Sequence, residues 1–190
     1  LFCTIIQDSF ASRLNLYCIL ATFAIGLCLR AYFLGQPMRY DESFTFLTFV
    51  NRNFPFLFYY PAPNNHVLHT LLVKVSTLIL GPFPVSIRFP AFLSGLASIP
   101  LTFVLCRTIV GGKSGVLATI GMSIAPFMGL YSTMARGYSL LVLLTLFLTL
   151  AGICFMNRPS FTGCFVISVI AALGMLTIPT MLFPYTSIFL

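Results

Sequence analysis

Two adjacent carboxylates, Asp41 and Glu42, stand in the stretch Arg39-Tyr40-Asp41-Glu42, directly after the first long apolar segment. They are two of only three acids in 190 residues. Holding an ionisable group beside hydrocarbon costs free energy, so in a chain with 7% charged residues such a pair is a candidate for chemistry. A positioned carboxylate can take a proton from a hydroxyl. Neighbours on a helix point about 100° apart, so one acid would face the reaction and the other an arginine, a metal or a backbone amide. The pair also suits a helix start, with Asp41 as N-cap and Glu42 in the first turn. The two roles are compatible.

His66 and His69 have a spacing that can put both on one ion. Asp41 would be a third ligand only through a tertiary contact. A histidine pair on a polar helix face is more often hydrogen-bonded than metal-bound. Arg88 opens an apolar span beside Pro90, and Arg136 sits between two others. A guanidinium fork matches phosphate oxygens bidentately, and Lys74 would assist as a point charge. Interfacial snorkelling is the competing explanation for both arginines.

The elements that position these residues are membrane elements. The chain is 59% hydrophobic, with a mean hydropathy of +1.03, and lacks the residues for a polar exterior. The net charge of +7 comes from ten scattered Lys and Arg. Without a basic run interleaved with aromatics, nucleic-acid binding has no support; anionic headgroups or a phosphate-bearing lipid suit the pattern better. The six cysteines include no CxxC pair and read as small buried hydrophobes. The first apolar stretch has no small-residue cleavage site and reads as an uncleaved span. The absent initiator Met and the apolar end at Leu190 suggest a portion of a longer protein.

The predicted fold is all-α: one polytopic transmembrane domain over residues 1–190. Its spans fall at about 14–34, 89–106, 116–131, 138–155 and 161–178, the last four near the lower length limit. Arg30, about a turn from the end of the first span, would snorkel to the interface. Residues 35–88 form a long outer loop, with a short helix over 42–53 and an amphipathic helix over 66–80. In the latter, Val67, Leu68, Leu71, Leu72, Val75, Leu78 and Ile79 fall on one arc. His66, His69, Thr70, Lys74, Ser76 and Thr77 fall on the other. At about 21 Å it suits the interface better than a crossing. Short turns with Arg107, Lys113 and Arg158 read as cytoplasmic, which places the acidic pair outside.

Three further runs complete the pattern: Pro63-Asn64-Asn65-His66-Val67-Leu68-His69, Arg88-Phe89-Pro90-Ala91-Phe92-Leu93-Ser94-Gly95, and Ala125-Pro126 followed by Tyr131-Ser132-Thr133-Met134-Ala135-Arg136-Gly137-Tyr138-Ser139. Together with Arg39–Glu42, and in this order, they resemble the GT-C glycosyltransferases. The likeness is narrower to the bacterial relatives of protein O-mannosyltransferases and lipid A aminoarabinose transferases, over about residues 14–150. Met134 departs from it, standing where many such proteins carry an acid before Ala-Arg.

The resemblance implies a multi-pass protein of the inner (plasma) membrane. It would transfer a sugar from a polyprenyl-phosphate donor to a hydroxyl of a lipid, glycan or protein acceptor at the outer face. By the same resemblance Asp41 is the general base, or lies beside the metal site; the reading of the residues adds Glu42 as its support and a divalent ion on Asp41, His66 and His69. Arg88, Arg136, Lys74, His66 and Tyr138 then contact the donor. A phosphate leaving group needs cations more than an acid. Glycosidase chemistry would want two separated carboxylates, and outside the pair only Asp8 remains. The alternative is a non-enzymatic lipid-phosphate carrier or transporter subunit. Transporters place charges mid-span or at broken helices, whereas these charges cluster at span ends.

Overall fold

The computed structural model describes residues 13–58 and 65–188. Cys3, Asp8, Pro63 and Asn64 fall outside the described residues. Helix α1 (Arg13–Leu34) leads into α2 (Tyr40–Thr45), which continues as a π-helical turn at Phe46–Val50. A 3-10 turn at Phe54–Phe58 precedes α3 (Val67–Leu80). Then come α4 (Pro84–Ile109), α5 (Gly112–Ile124), α6 (Pro126–Ser132), α7 (Tyr138–Asn157) and α8 (Phe161–Thr177). A 3-10 turn (Pro179–Met181) and α9 (Leu182–Thr186) follow. The described residues contain no strand, so the fold is all-α.

Among the described residues, three helices are long and apolar enough to cross a membrane: α1 from Asn15, α4 and α7. The span expected over 116–131 is instead two helices, α5 and α6, bent by 59°. The segment expected over 161–178 is a 17-residue helix, at the lower limit for crossing. Helix α4 begins at Pro84 rather than 89, because Pro at N1 is preorganised for a helix start. Arg88 therefore lies inside the helix.

Helix α4 is the hub, packing on α1, α3, α5, α6 and α7. It carries small residues on its buried face, which lets neighbours approach closely. At Gly95 an added Cβ would lie 1.9 Å from Ser132 Oγ, so the α4–α6 crossing requires glycine. Pro90 has no N–H to offer the Ser86 carbonyl. The Ser76 hydroxyl of α3 donates to that oxygen instead, at 2.7 Å.

The α5–α6 bend is held by the same logic. Pro126 leaves the Met122 carbonyl without its helical donor, and the bend takes Ser123 with it. Arg30 supplies both: Nη2 donates to Met122 O at 3.0 Å and Nη1 to Ser123 O at 2.9 Å. Nε donates to Ser132 Oγ at 3.1 Å. Arg30 is thus fully buried and does not snorkel. Carbonyls freed in a water-poor interior hold a guanidinium more strongly than a short reach to the interface does.

Helix α3 is amphipathic, with its polar arc turned inward. His69, Thr70 and Ser76 are buried, whereas Leu72, Val75, Leu78 and Ile79 are exposed. That is the orientation for a helix whose outer neighbour is hydrocarbon rather than water. The cysteines follow the same rule. None among the described residues is buried, contrary to expectation, and Cys28, Cys154 and Cys164 face outward.

Replacing Arg30 with Met leaves two buried carbonyls unpaired at the bend. The expected loss is on the order of 3 kcal/mol, read as a lowered unfolding midpoint in a denaturing-detergent titration. Unchanged stability would show that the bend holds without the guanidinium.

Candidate functional site

The site lies where the ends of several helices meet: the exit of α1, the first turns of α2 and α4, the N-terminus of α3, the α6–α7 turn, and the end of α8. Glu42 is fully buried at the centre. Its Oε1 accepts from Arg88 Nε at 2.9 Å and from the Ala135 amide at 2.7 Å. Its Oε2 accepts from Arg88 Nη2 at 2.6 Å and from the Arg39 amide at 2.9 Å. Burial alone would push the carboxyl up. The bonds from Arg88 and from the Arg39 and Ala135 amides, with the Arg88 charge, outweigh it and hold Glu42 below the ordinary carboxylate range.

Arg88 is equally committed. Beyond Glu42, its Nη1 donates to the carbonyls of Leu34 at 2.8 Å and Gln36 at 2.6 Å, and Nη2 to Pro37 at 3.0 Å. All five guanidinium donors are taken by protein acceptors. The expected phosphate grip by Arg88 is therefore corrected: the residue ties the α1 exit to α4. Likewise Arg39, not Asp41, is the N-cap of α2, and its backbone amide donates to the side chain of Glu42.

Asp41 points the other way. Its side chain is 49% exposed, and Oδ2 lies 3.0 Å from Nη1 of Arg136, whose side chain is only 8% exposed. Arg136 donates from Nη2 to the Tyr138 hydroxyl at 3.2 Å, and its guanidinium carbon stands 5.5 Å from that ring's centroid. The buried Nε has no acceptor, and the Nη1 contact to Asp41 is an ion pair outside hydrogen-bond geometry. A buried guanidinium with spare donors, beside a half-exposed carboxylate, can receive an anion.

His66, the N-cap of α3, stands edge-on to Tyr138 at 5.5 Å between ring centroids. Its Nδ1 lies 3.1 Å from the Thr177 carbonyl at the end of α8. A carbonyl can only accept, so Nδ1 carries the proton and Nε2, buried and unpartnered, presents a lone pair. Gly137 makes this approach possible: a Cβ there would stand 2.8 Å from Thr177 and 3.1 Å from His66. Asn65 fixes the entry to α3, donating to Leu57 O at 2.8 Å and accepting from Thr70 at 3.0 Å. Burial, then the Arg136 charge, lower His66 to about 4 despite the Thr177 contact. Burial lowers His69 to about 3, helped by His66 and Arg136.

The other expected members are elsewhere. Lys74 donates to the carbonyls of Val50 at 2.8 Å and Arg52 at 2.6 Å, so it caps the π-helical turn rather than assisting a donor phosphate. The metal set of Asp41, His66 and His69 is not assembled: among the described residues no three His, Cys, Asp or Glu form a metal cluster. Arg136 stands between the acid and the histidines as a fixed cation, which opposes a second positive charge. Sequence reasoning missed the Ala135 amide and the Thr177 carbonyl, because backbone groups carry no residue signature. It also missed Arg39, whose guanidinium approaches the Met134 sulfur at 3.4 Å.

A family model described as dolichyl-phosphate-mannose-protein mannosyltransferase matches residues 64–190, about two thirds of the chain. His66, His69, Lys74, Arg88, Arg136 and Tyr138 lie inside the match, whereas Asp41 and Glu42 precede it. Neither the curated proteins nor the solved structures contain a match.

Glu42→Gln leaves Arg88 charged and uncompensated in the interior, with an expected cost of about 3–5 kcal/mol. Adding Arg88→Met should recover part of that loss, a coupling read by a double-mutant cycle of unfolding midpoints; simple additivity would deny the pair its role. Acidification provides a separate check. Between pH 6.5 and about 4 the unfolded chain binds protons that folded His66 refuses, and the His69 window extends to about 3. Stability should therefore fall with pH in that range by about 1.4 kcal/mol per unit for each histidine. Glu42 contributes its own loss only as pH drops through its lowered value. In His69→Gln the slope should shrink by one histidine's share; an unchanged slope would mean that His69 is not held neutral.

Proposed function

Because the chain belongs to the dolichyl-phosphate-mannose-protein mannosyltransferase family of membrane glycosyltransferases, we propose that it moves a sugar from a polyprenyl-phosphate donor to an acceptor hydroxyl at the outer face of the membrane. The observation that carries this reading is the pairing of half-exposed Asp41 with buried Arg136, whose Nε has no acceptor. In the reaction the acceptor oxygen attacks the anomeric carbon. The bond from that carbon to the phosphate oxygen breaks, and the electron pair leaves with polyprenyl phosphate. The hydroxyl proton passes to Asp41 as general base. Arg136 shifts from Asp41 to the phosphate oxygens, where its fork stabilises the departing charge.

The remaining residues position this pair. Tyr138 holds the Arg136 guanidinium through its hydroxyl and ring face. His66, with Nδ1–H directed to Thr177, offers Nε2 as an acceptor to a sugar or acceptor hydroxyl. Glu42 and Arg88 fix the turn on which Asp41 stands. An outer-face location is supported by helix direction. A 26-residue α4 is about 39 Å long, so Arg107 lies far from Arg88. Lys113 and Arg158 share that far end, as positive turns on the cytoplasmic side would.

Asp41→Asn should lower sugar transfer by at least about 10²-fold with expression and melting unchanged, measured with a labelled polyprenyl-phosphate sugar in membranes. Arg136→Gln should lower kcat by about 10²-fold. Wild-type turnover in Asp41→Asn would remove this carboxylate from the mechanism.

A further inference from the structure

Arg52 and Lys74 form a cationic pair that sugar transfer leaves unused. The Lys74 ammonium donates to the carbonyls of Val50 at 2.8 Å and Arg52 at 2.6 Å, so it rests on the backbone that carries the second cation. Those carbonyls take two of its three N–H groups and cancel none of its net charge. Arg52 is exposed, and its guanidinium has no partner among the described residues. Both carboxylates among the described residues are committed elsewhere, Asp41 to Arg136 and Glu42 to Arg88. Two like charges on adjoining segments raise each other's free energy until an anion joins them.

The pair borders a recess of about 220 Å³ between the π-helical turn and the second half of α3. Asn51, Lys74 and Thr77 give it a polar wall, and Phe46, Leu78 and Pro82 an apolar one. Arg52 follows directly on Asn51. From Leu78 the apolar surface continues outward through Ile79 to Phe83; these side chains are 76%, 74% and 62% exposed. An anion that reaches the two cations therefore does so beside hydrocarbon, which favours one that carries its own acyl chains. Charge and the apolar border, not volume, select the ligand. The recess is separate from the sugar-transfer site: Lys74 lies eight residues along α3 from His66, roughly 12 Å of helix.

We propose that this recess seats the phosphodiester of an anionic phospholipid from the surrounding leaflet, between Arg52 and Lys74, with an acyl chain along Leu78 and Ile79. The lipid bridges the π-helical turn and α3, which continue the two segments that carry Asp41 and His66 at their starts. Its binding does not depend on the transferase reading.

The probe is a phosphatidylglycerol with a diazirine in one acyl chain, photolysed in phosphatidylcholine nanodiscs that hold the protein and mapped by peptide mass. Label is expected on residues 46–52 and 74–83. In Arg52→Gln it should fall about fivefold, one cation's share of binding near an anionic surface. Arg52→Lys should restore it. In Arg158→Gln, at the opposite end of the bundle, it should stay at the wild-type level. Lys74→Met should also lose label, but it uncaps the π-helical turn as well, so Arg52→Gln is the deciding variant. Label spread evenly around the bundle, label unchanged in Arg52→Gln, or equal label from a diazirine-bearing phosphatidylcholine would overturn the assignment. So would displacement by inorganic phosphate, which would make this a site for a free anion. Absence of label from both segments, as when a carboxylate from elsewhere in the protein neutralises the pair, would overturn it too.

Discussion

The fork between Glu42 and Arg88 is the contact on which the site depends. Both side chains lie in the interior, where an unpaired charge is strongly disfavoured. Here each is saturated: four bonds reach the carboxylate and five leave the guanidinium. The partners come from the α1 exit, α2, α4 and the α6–α7 turn. One buried pair thus locks four segments of a chain that has few polar groups. Asp41 and Arg136 are immediate neighbours of that knot, so their 3.0 Å separation is set by a structure neither of them builds.

Two of the proline positions, Pro90 and Pro126, follow one physical rule. A proline inside a helix frees a carbonyl four residues earlier, and a membrane offers no water to satisfy it. At Pro90 the donor is Ser76 of α3; at Pro126 it is Arg30 of α1. Each repair is also a tertiary link. The first pins α3 on α4, and with it the helix that starts at His66. The second fixes a 59° bend that delivers residues 133–137 to the site. Elements that look like defects along the chain therefore aim the functional side chains.

The electrostatics of the site is that of an anion receiver. Arg136 brings a positive charge into a buried setting, and His66 and His69 answer by staying neutral. Burial is the first cause for both; the Arg136 charge comes second for His66, and for His69 it follows the contribution of His66. A neutral imidazole with its proton directed at Thr177 leaves an acceptor in place, while the guanidinium leaves donors. A hydroxylated, phosphorylated ligand presents the matching groups.

Composition alone determined an all-α, membrane-embedded chain, because so few polar residues permit no other solvent. Hydrophobic periodicity determined α3, and the rarity of acids drew attention to Asp41 and Glu42. Pattern could not say which of the two would be exposed. That depends on which acid meets Arg88, a residue 46 positions from Glu42. Nor could it separate Arg88 and Lys74, held by carbonyls, from Arg136, which keeps free donors. A cation in a sequence carries no record of the backbone oxygens that the fold will bring to it. Arg30 shows this most plainly: read along the chain it belongs at an interface, and only the bend at Pro126, with three helices between α1 and the bent pair, draws it inside.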